Sequence, residues 1–172
     1  MLSVKLEEAL NDQLNFEVYS GYIYLSMSAW LSGKNLNGMA HWMQLQYNEE
    51  LIHAMKIFAY INDRGGKVVL KAIQQPQTEW KSVLDVFETA YRHEQNVTGR
   101  FGDLIDLALK ERDHVTNVLL QWFINEQIEE EASVKEIADQ IAMAGESRDS
   151  LFMLDREMAQ RQAAPAENGG KA

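Results

Sequence analysis

The sequence Asn48-Glu49-Glu50-Leu51-Ile52-His53 places Glu50 and His53 one helical turn apart on a stripe that is otherwise mostly apolar. That stripe runs from Met39 to Tyr60 in steps of three and four residues, which is the period of an amphipathic helix. Burying such polar side chains without partners costs on the order of several kcal/mol each. The stretch therefore predicts a long helix that carries a polar site on its inward face.

The same arrangement occurs in both halves of the chain. In each half an acidic residue is followed 33 residues later by a second polar residue, and a third polar residue lies three positions beyond that. The two triads are Glu17, Glu50 and His53, and Glu94, Gln127 and Glu130. A single inward Glu can fix the register of a bundle, but no Lys or Arg on these stripes neutralises four of them. A bound pair of divalent cations would do so.

Four long helices and one short helix are predicted from this period and from the Gly, Asn and Ser residues that interrupt it. They run from about Ser3 to Ser32, from Asn37 to Arg64, from Ser82 to a break at Arg112-Asp113-His114, from that break to Gly145, and from Ser147 to Gln160. Lys67–Trp80 fits no helical period and is predicted to be an extended crossover. These connections predict an all-α bundle with up-down, crossover, up-down topology over residues 1–162. The small, polar, Gly-rich tail 163–172 is predicted to be disordered.

The composition excludes several classes of function. The chain has no Cys, which rules out disulfides, iron–sulfur clusters and thiolate zinc sites. Its formal net charge of −10 argues against nucleic acid as a partner. The N-terminal sequence is not that of a signal peptide, and no apolar stretch is long enough to span a membrane, so we expect no membrane partner and a cytoplasmic protein.

The donor set also limits the metal. Four carboxylates, one imidazole and one amide form an oxygen-rich set of hard to borderline ligands. A structural zinc site would use Cys or more His, and calcium would not favour His. Iron or manganese fits this set, and iron is the more common redox-active choice.

The chain resembles the non-haem ferritins of the bacterial and archaeal type, from about Val4 to Gln160. The motifs that carry the resemblance are Asn15–Ser20, Asn48–His53, Tyr91–Glu94 and Leu120–Glu131. The resemblance implies a ferritin-like four-helix bundle with a short fifth C-terminal helix. In that family such a bundle holds a di-iron centre within each subunit.

The resemblance implies a role for each inward carboxylate. Glu17, Glu50 and His53 would hold the first iron. Glu50 would bridge to a second iron, which Glu94 and Glu130 would also hold.

Further polar residues match the family's pattern around that centre. Gln127 would lie beside the iron pair and hydrogen-bond to a bound oxygen species or water. Tyr24 would lie just outside the ligands, where it would orient one of them or donate an electron. Glu49, Glu126 and Glu129 match a third, weaker iron site, although on residue type alone they also fit a solvated acidic face.

The activity implied by the resemblance is that of a ferroxidase that stores iron. Fe(II) would be oxidised by O2 or peroxide, and the ferric product would accumulate as oxyhydroxide inside a hollow homo-oligomer, usually of twenty-four subunits in this family. No haem is predicted, because Leu51 follows Glu50 where bacterioferritins have Met, and because Gln127 and Glu130 replace their second Glu-x-x-His.

Two alternatives remain open at this level. A di-iron oxygenase or peroxidase would use the same ligands on an organic substrate and would store no mineral. The other is a non-catalytic structural or interaction bundle, for example a DNA-protecting mini-ferritin. Mini-ferritins place their irons between subunits, and the triads within one chain argue against that reading.

Overall fold

The computed structural model describes residues 2–145 and 147–163, and in that part the chain forms five α-helices and no β-strand. The helices are α1 (Val4–Gly33), α2 (Asn37–Asp63), α3 (Val83–Lys110), α4 (His114–Ala144) and α5 (Arg148–Met158). The predicted all-α fold, with four long helices and a short fifth, is confirmed, and each predicted boundary lies within a turn of the observed one. Residues 164–172 of the tail predicted to be disordered lie outside the described part of the chain, so this disorder stays a prediction.

Side chains cap the first turn of most of these helices. The capping residues accept a hydrogen bond from the backbone N–H three residues further on, at 3.0–3.3 Å, and satisfy a donor that the helix itself cannot. They are Ser3, Ser82, Asp113 and Ser147. Helix α2 differs, because Leu36 precedes it and offers no side-chain cap. Its Met39 N–H instead donates to Asp155 Oδ1 of α5, at 2.9 Å.

The short helix α5 lies directly against the first turn of α2. A Cβ atom added to Gly38 would lie 1.7 Å from the backbone oxygen of Asp155, so only glycine permits this approach. Met158, the last residue of α5, is buried in the apolar cluster that includes Trp42. The capping bond, the close backbone approach and the apolar contact together fix α5 on α2.

The chain between α2 and α3 is extended, as predicted, and two asparagines of α1 hold it. The Asn11 side chain donates to Lys67 O at 2.9 Å and accepts from Val69 N at 2.6 Å. The Asn15 side chain likewise donates to Val69 O at 2.8 Å and accepts from Lys71 N at 2.7 Å. Each amide pairs with the crossover backbone as a neighbouring β-strand would, so the backbone is satisfied without a sheet.

The four long helices form the bundle, with α1 against α2 and α3 against α4. Arg64, next to the end of α2, forms an ion pair at 2.8 Å with Asp113, the residue that caps α4. None of the described helices combines the length and the apolar character needed to cross a membrane.

The apolar core consists of two clusters along the bundle, and each of the four long helices contributes to both. One cluster includes Tyr24, Met43, Phe87 and Val134, and the other includes Leu10, Ile57, Phe101 and Phe123. On every helix the triad residues lie between its contributions to the two clusters. A layer of polar side chains therefore separates the two apolar halves of the core.

We predict that Gly38→Ala releases or displaces α5, because the new Cβ meets backbone atoms of Asp155 that cannot rotate away. The expected loss in the free energy of unfolding is about 2 kcal/mol or more, measured by urea denaturation. Gly99→Ala in α3 is the matched control. Beyond its own helix backbone and chain neighbours, its Cβ would meet no described atom within 4 Å, so the helical preference of Ala should raise stability by up to about 1 kcal/mol. Equal effects of the two substitutions would contradict the docking of α5.

Candidate metal centre

The polar layer contains one or two side chains from each long helix. Its members come from α1 (Glu17), α2 (Glu50 and His53), α3 (Glu94) and α4 (Gln127 and Glu130). Five of these six are at most 3 % exposed, and Glu130 is partly buried. The helical period alone directs them inward, because each occupies a core position of its own helix.

The first triad converges on one point. Ligand atoms of Glu17, Glu50 and His53 all lie within 4.8 Å of one another, and Glu50 Oε2 lies 3.8 Å from His53 Nδ1. Among the described residues, this is the one group of acidic or His side chains with such an arrangement. The spacing suits a common cation.

Three atoms of this triad have no hydrogen-bond partner outside the triad itself. They are Glu17 Oε2, Glu50 Oε2 and His53 Nδ1, and the only other such buried side-chain atom in the described chain is Trp80 Nε1. Buried polar atoms are nearly always paired, so three unpaired atoms at one point call for an explanation. A cation bound by these atoms would supply the missing partner, and the residues present fit one.

The second triad is already hydrogen-bonded around Glu94. The hydroxyl of Tyr24, which is buried, donates to Glu94 Oε1, and Gln127 Nε2 donates to Glu94 Oε2 at 2.9 Å. Glu130 Oε2 accepts from Gln46 Nε2 at 2.6 Å. The carboxylates on this side are therefore fixed in orientation by neutral donors.

Burial dominates the electrostatics of the site. It raises the pKa of Glu17 and of Glu50 well above the usual carboxyl range. Repulsion from Glu50 adds to the effect on Glu17, and repulsion from Glu94 adds to the effect on Glu50. Burial also raises the pKa of Glu94, against the hydrogen bonds that it accepts. Burial and the charge of Glu94 raise the pKa of Glu130 to about 7. A cation at this site would therefore displace protons.

The pKa of Tyr24 is also raised well above its usual value, by burial first and then by the charge of Glu94. The phenol stays protonated and acts as the donor to Glu94. The sequence prediction placed Tyr24 beside the ligands, and its contact with Glu94 gives it an orienting position there.

The sequence prediction did not include two glutamines that donate hydrogen bonds to Glu17 and Glu130. Gln13 Nε2 donates to Glu17 Oε1 at 2.7 Å, as Gln46 Nε2 does to Glu130. Gln13 was detectable in principle, since it lies four residues before Glu17 on the same face of α1. Gln46 lies on the predicted inward stripe of α2.

Two arginines in turn hold these glutamines, and no local sequence signal marks them. Arg100 Nε donates to Gln13 Oε1 at 2.9 Å, and the Arg161 guanidinium donates to Gln46 Oε1. Each amide oxygen is occupied by an arginine, so each amide nitrogen faces a glutamate. Two chains of contacts result, one ending on Glu17 and the other on Glu130.

The residues predicted for a third iron site do not converge as the first triad does. Glu49 forms an ion pair with Arg161 at 2.9 Å, Glu126 is partly buried and Glu129 is exposed. They form no group of closely spaced ligand atoms among the described residues.

Comparison with known proteins places this geometry in context. Residues 7–144 match the ferritin-like domain family. The chain is 40% identical to a bacterial non-heme ferritin of Staphylococcus saprophyticus, over 94% of this chain and 96% of that one. It is 38% identical to a bacterial non-heme ferritin of Campylobacter jejuni, over 91% and 93% of the two chains. The open-pore ferritin of the hyperthermophilic archaeon Archaeoglobus fulgidus matches with a TM-score of 0.93 at 45% identity, over 94% of this chain and 100% of that chain.

We predict that the metal-free protein loses stability as pH rises. The folded-state pKa values of the buried carboxyls lie above their unfolded values, so their favourable contribution is complete below about pH 4 and is lost as pH rises through the folded pKa. For Glu130 that loss begins near pH 4.5 and is complete just above the folded pKa of about 7. The urea midpoint of wild type should therefore fall relative to that of Glu130→Gln between about pH 5 and pH 8. Parallel pH profiles for the two proteins would contradict the assignment.

Proposed function

The chain belongs to the ferritin family, and from that premise we propose that it stores iron and oxidises Fe(II) at the four-helix polar layer. The observation that carries the proposal is the convergence of three unpaired, buried ligand atoms of Glu17, Glu50 and His53. In a chain with this family membership, Fe(II) is the substrate that fits a site of carboxylates and one imidazole.

The two triads divide the proposed work. Glu17, Glu50 and His53 bind the first Fe(II), through atoms that no protein donor occupies. Glu94 and Glu130 bind the second, and Glu50 is shared between the two ions. Repulsion among Glu17, Glu50 and Glu94 supports this sharing, because two divalent ions relieve it.

The surrounding residues keep the ligands in place while the charge at the site changes. Each Fe(II) gives up one electron, and O2 or peroxide accepts the electrons. Tyr24 and Gln127 hold both oxygens of Glu94, so that carboxylate keeps its orientation as the ions arrive and leave. Protons on the carboxyls leave when Fe(II) binds.

Storage requires an assembly, and the surface supports one. Large apolar side chains are exposed on the isolated chain, among them Val118 at 72% and Met143 at 82%. Burying such side chains between subunits would stabilise a hollow homo-oligomer, for which twenty-four subunits is the usual number in this family. We place the protein in the cytoplasm, with neither nucleic acid nor membrane as its partner. The third iron site at Glu49, Glu126 and Glu129 stays a prediction.

We predict that Glu50→Gln lowers the initial rate of Fe(II) oxidation by about 100-fold or more, because it removes the ligand shared by both ions. Oxygen uptake after aerobic addition of Fe(II) to the metal-free assembly measures this rate. Glu136→Gln on the exposed face of α4 is the matched control and should keep the wild-type rate. A Glu50→Gln protein as fast as wild type would overturn the site. Oxidation of an organic substrate without a ferric mineral would favour the oxygenase instead.

We predict that Tyr24→Phe slows Fe(II) oxidation by about tenfold while Fe(II) still binds. The change removes only the hydroxyl that orients Glu94, and the aromatic ring keeps its place in the apolar cluster. Anaerobic Fe(II) titration measures binding, and oxygen uptake measures the rate. An unchanged rate would mean that Tyr24 contributes only packing.

A further inference from the structure

Arg161 follows α5 and lies against four residues of α2. One guanidinium nitrogen donates to Gln46 Oε1, and another donates to both carboxylate oxygens of Glu49, at 2.9 and 3.2 Å. The guanidinium carbon lies 4.6 Å from the centre of the Trp42 ring. The backbone oxygen of Arg161 lies 3.0 Å from His41 Nε2. The side chain is therefore held on several sides rather than extended into solvent.

This position places a fixed positive charge beside the candidate metal centre. Glu49 directly precedes the ligand Glu50, and its charge contributes to raising the pKa of both Glu50 and Glu130. Arg161 also reaches Glu130 through the amide of Gln46. An arginine carries its charge at every physiological pH and has no acceptor atom. It can therefore compete with a metal ion for a carboxylate, but it cannot itself bind a metal ion.

We propose that the guanidinium of Arg161 competes with a metal ion for the carboxylate of Glu49. This competition limits the centre to two tightly bound ions. The inference rests on the proposed function and concerns the control of the same site. Glu49 uses both of its oxygens on Arg161. A third ion at Glu49 must therefore displace the guanidinium, and it meets the repulsion of that charge until it does.

The opposite side of the centre provides an internal comparison. Arg100 also holds a glutamine that donates to a ligand, but its other hydrogen bond goes to the backbone oxygen of Asp12, at 3.4 Å. Its guanidinium also lies over the Phe16 ring, 4.0 Å from the ring centre. Both arginines position a glutamine, whereas Arg161 also occupies the carboxylate of a residue predicted to bind iron.

Removal of Arg161 should leave the fold in place. Helix α5 is anchored independently, through the bond from Met39 N–H to Asp155 and the close approach of Gly38 to the α5 backbone. The Arg161–Glu49 pair is itself partly exposed, with 26% and 16% of the two side chains accessible. Variants at residue 161 therefore report on the charge rather than on the docking of α5.

The test is calorimetric titration of the metal-free, assembled protein with Zn²⁺, a probe that undergoes no redox reaction. Wild type should bind two ions per chain tightly and a third weakly. Arg161→Ala should tighten the third ion by about tenfold or more, because the guanidinium no longer competes for Glu49. Arg161→Lys keeps the charge and should stay closer to wild type. Arg156→Ala is the matched control, since it removes the same charge from an exposed position on α5.

A double variant, Glu49→Gln with Arg161→Ala, identifies the carboxylate involved. It should lose the tightening that Arg161→Ala alone produces. Equal third-ion affinity in wild type and Arg161→Ala would overturn the inference, as would tightening that persists in the double variant. If wild type fails to bind two ions tightly, the proposed function fails, while a weak Zn²⁺ site that tightens in Arg161→Ala and not in the double variant still supports the competition for Glu49.

Discussion

The structure depends on burying four carboxylates at one level of a helix bundle. Desolvation raises the pKa of Glu17, Glu50 and Glu94, and repulsion from neighbouring carboxylates adds to it for Glu17 and Glu50. The bundle compensates in two ways. Neutral glutamine side chains donate to one oxygen each of Glu17 and Glu130. The atoms of the first triad that face one another remain available to a cation. The division of the core into two apolar clusters follows from the same layer, since no apolar side chain can occupy it.

Arginine is used at a distance from the ligands on both sides of the layer. In each case a glutamine lies between the guanidinium and the glutamate, namely Gln13 before Glu17 and Gln46 before Glu130. A direct Arg–Glu pair would neutralise the carboxylate that a metal ion needs, whereas an amide transmits orientation without a full charge. This arrangement explains how the site can be rigid while its carboxyl groups stay available to a metal ion.

The periodic and repeated patterns of the sequence predicted the helices and the polar layer, whereas single contacts between distant residues were not predicted. The period of three and four residues predicted the helices, and the equal spacing of Glu17–Glu50 and Glu94–Gln127 predicted the polar layer, because both are local or periodic patterns. The crossover was predicted to be extended, but its pairing with Asn11 and Asn15 joins residues more than fifty positions apart and leaves no periodic trace. Arg161 reaches Gln46 across 115 residues, and that contact exists only once α5 has docked.

The polar layer also has a mechanical consequence. The two apolar clusters, which a layer of polar side chains separates, can loosen independently. A metal pair bound by residues of all four long helices would link these helices to one another at that layer. Opening either half of the bundle would then strain metal–ligand bonds as well as expose apolar surface, so a loaded subunit would behave as a single cooperative unit.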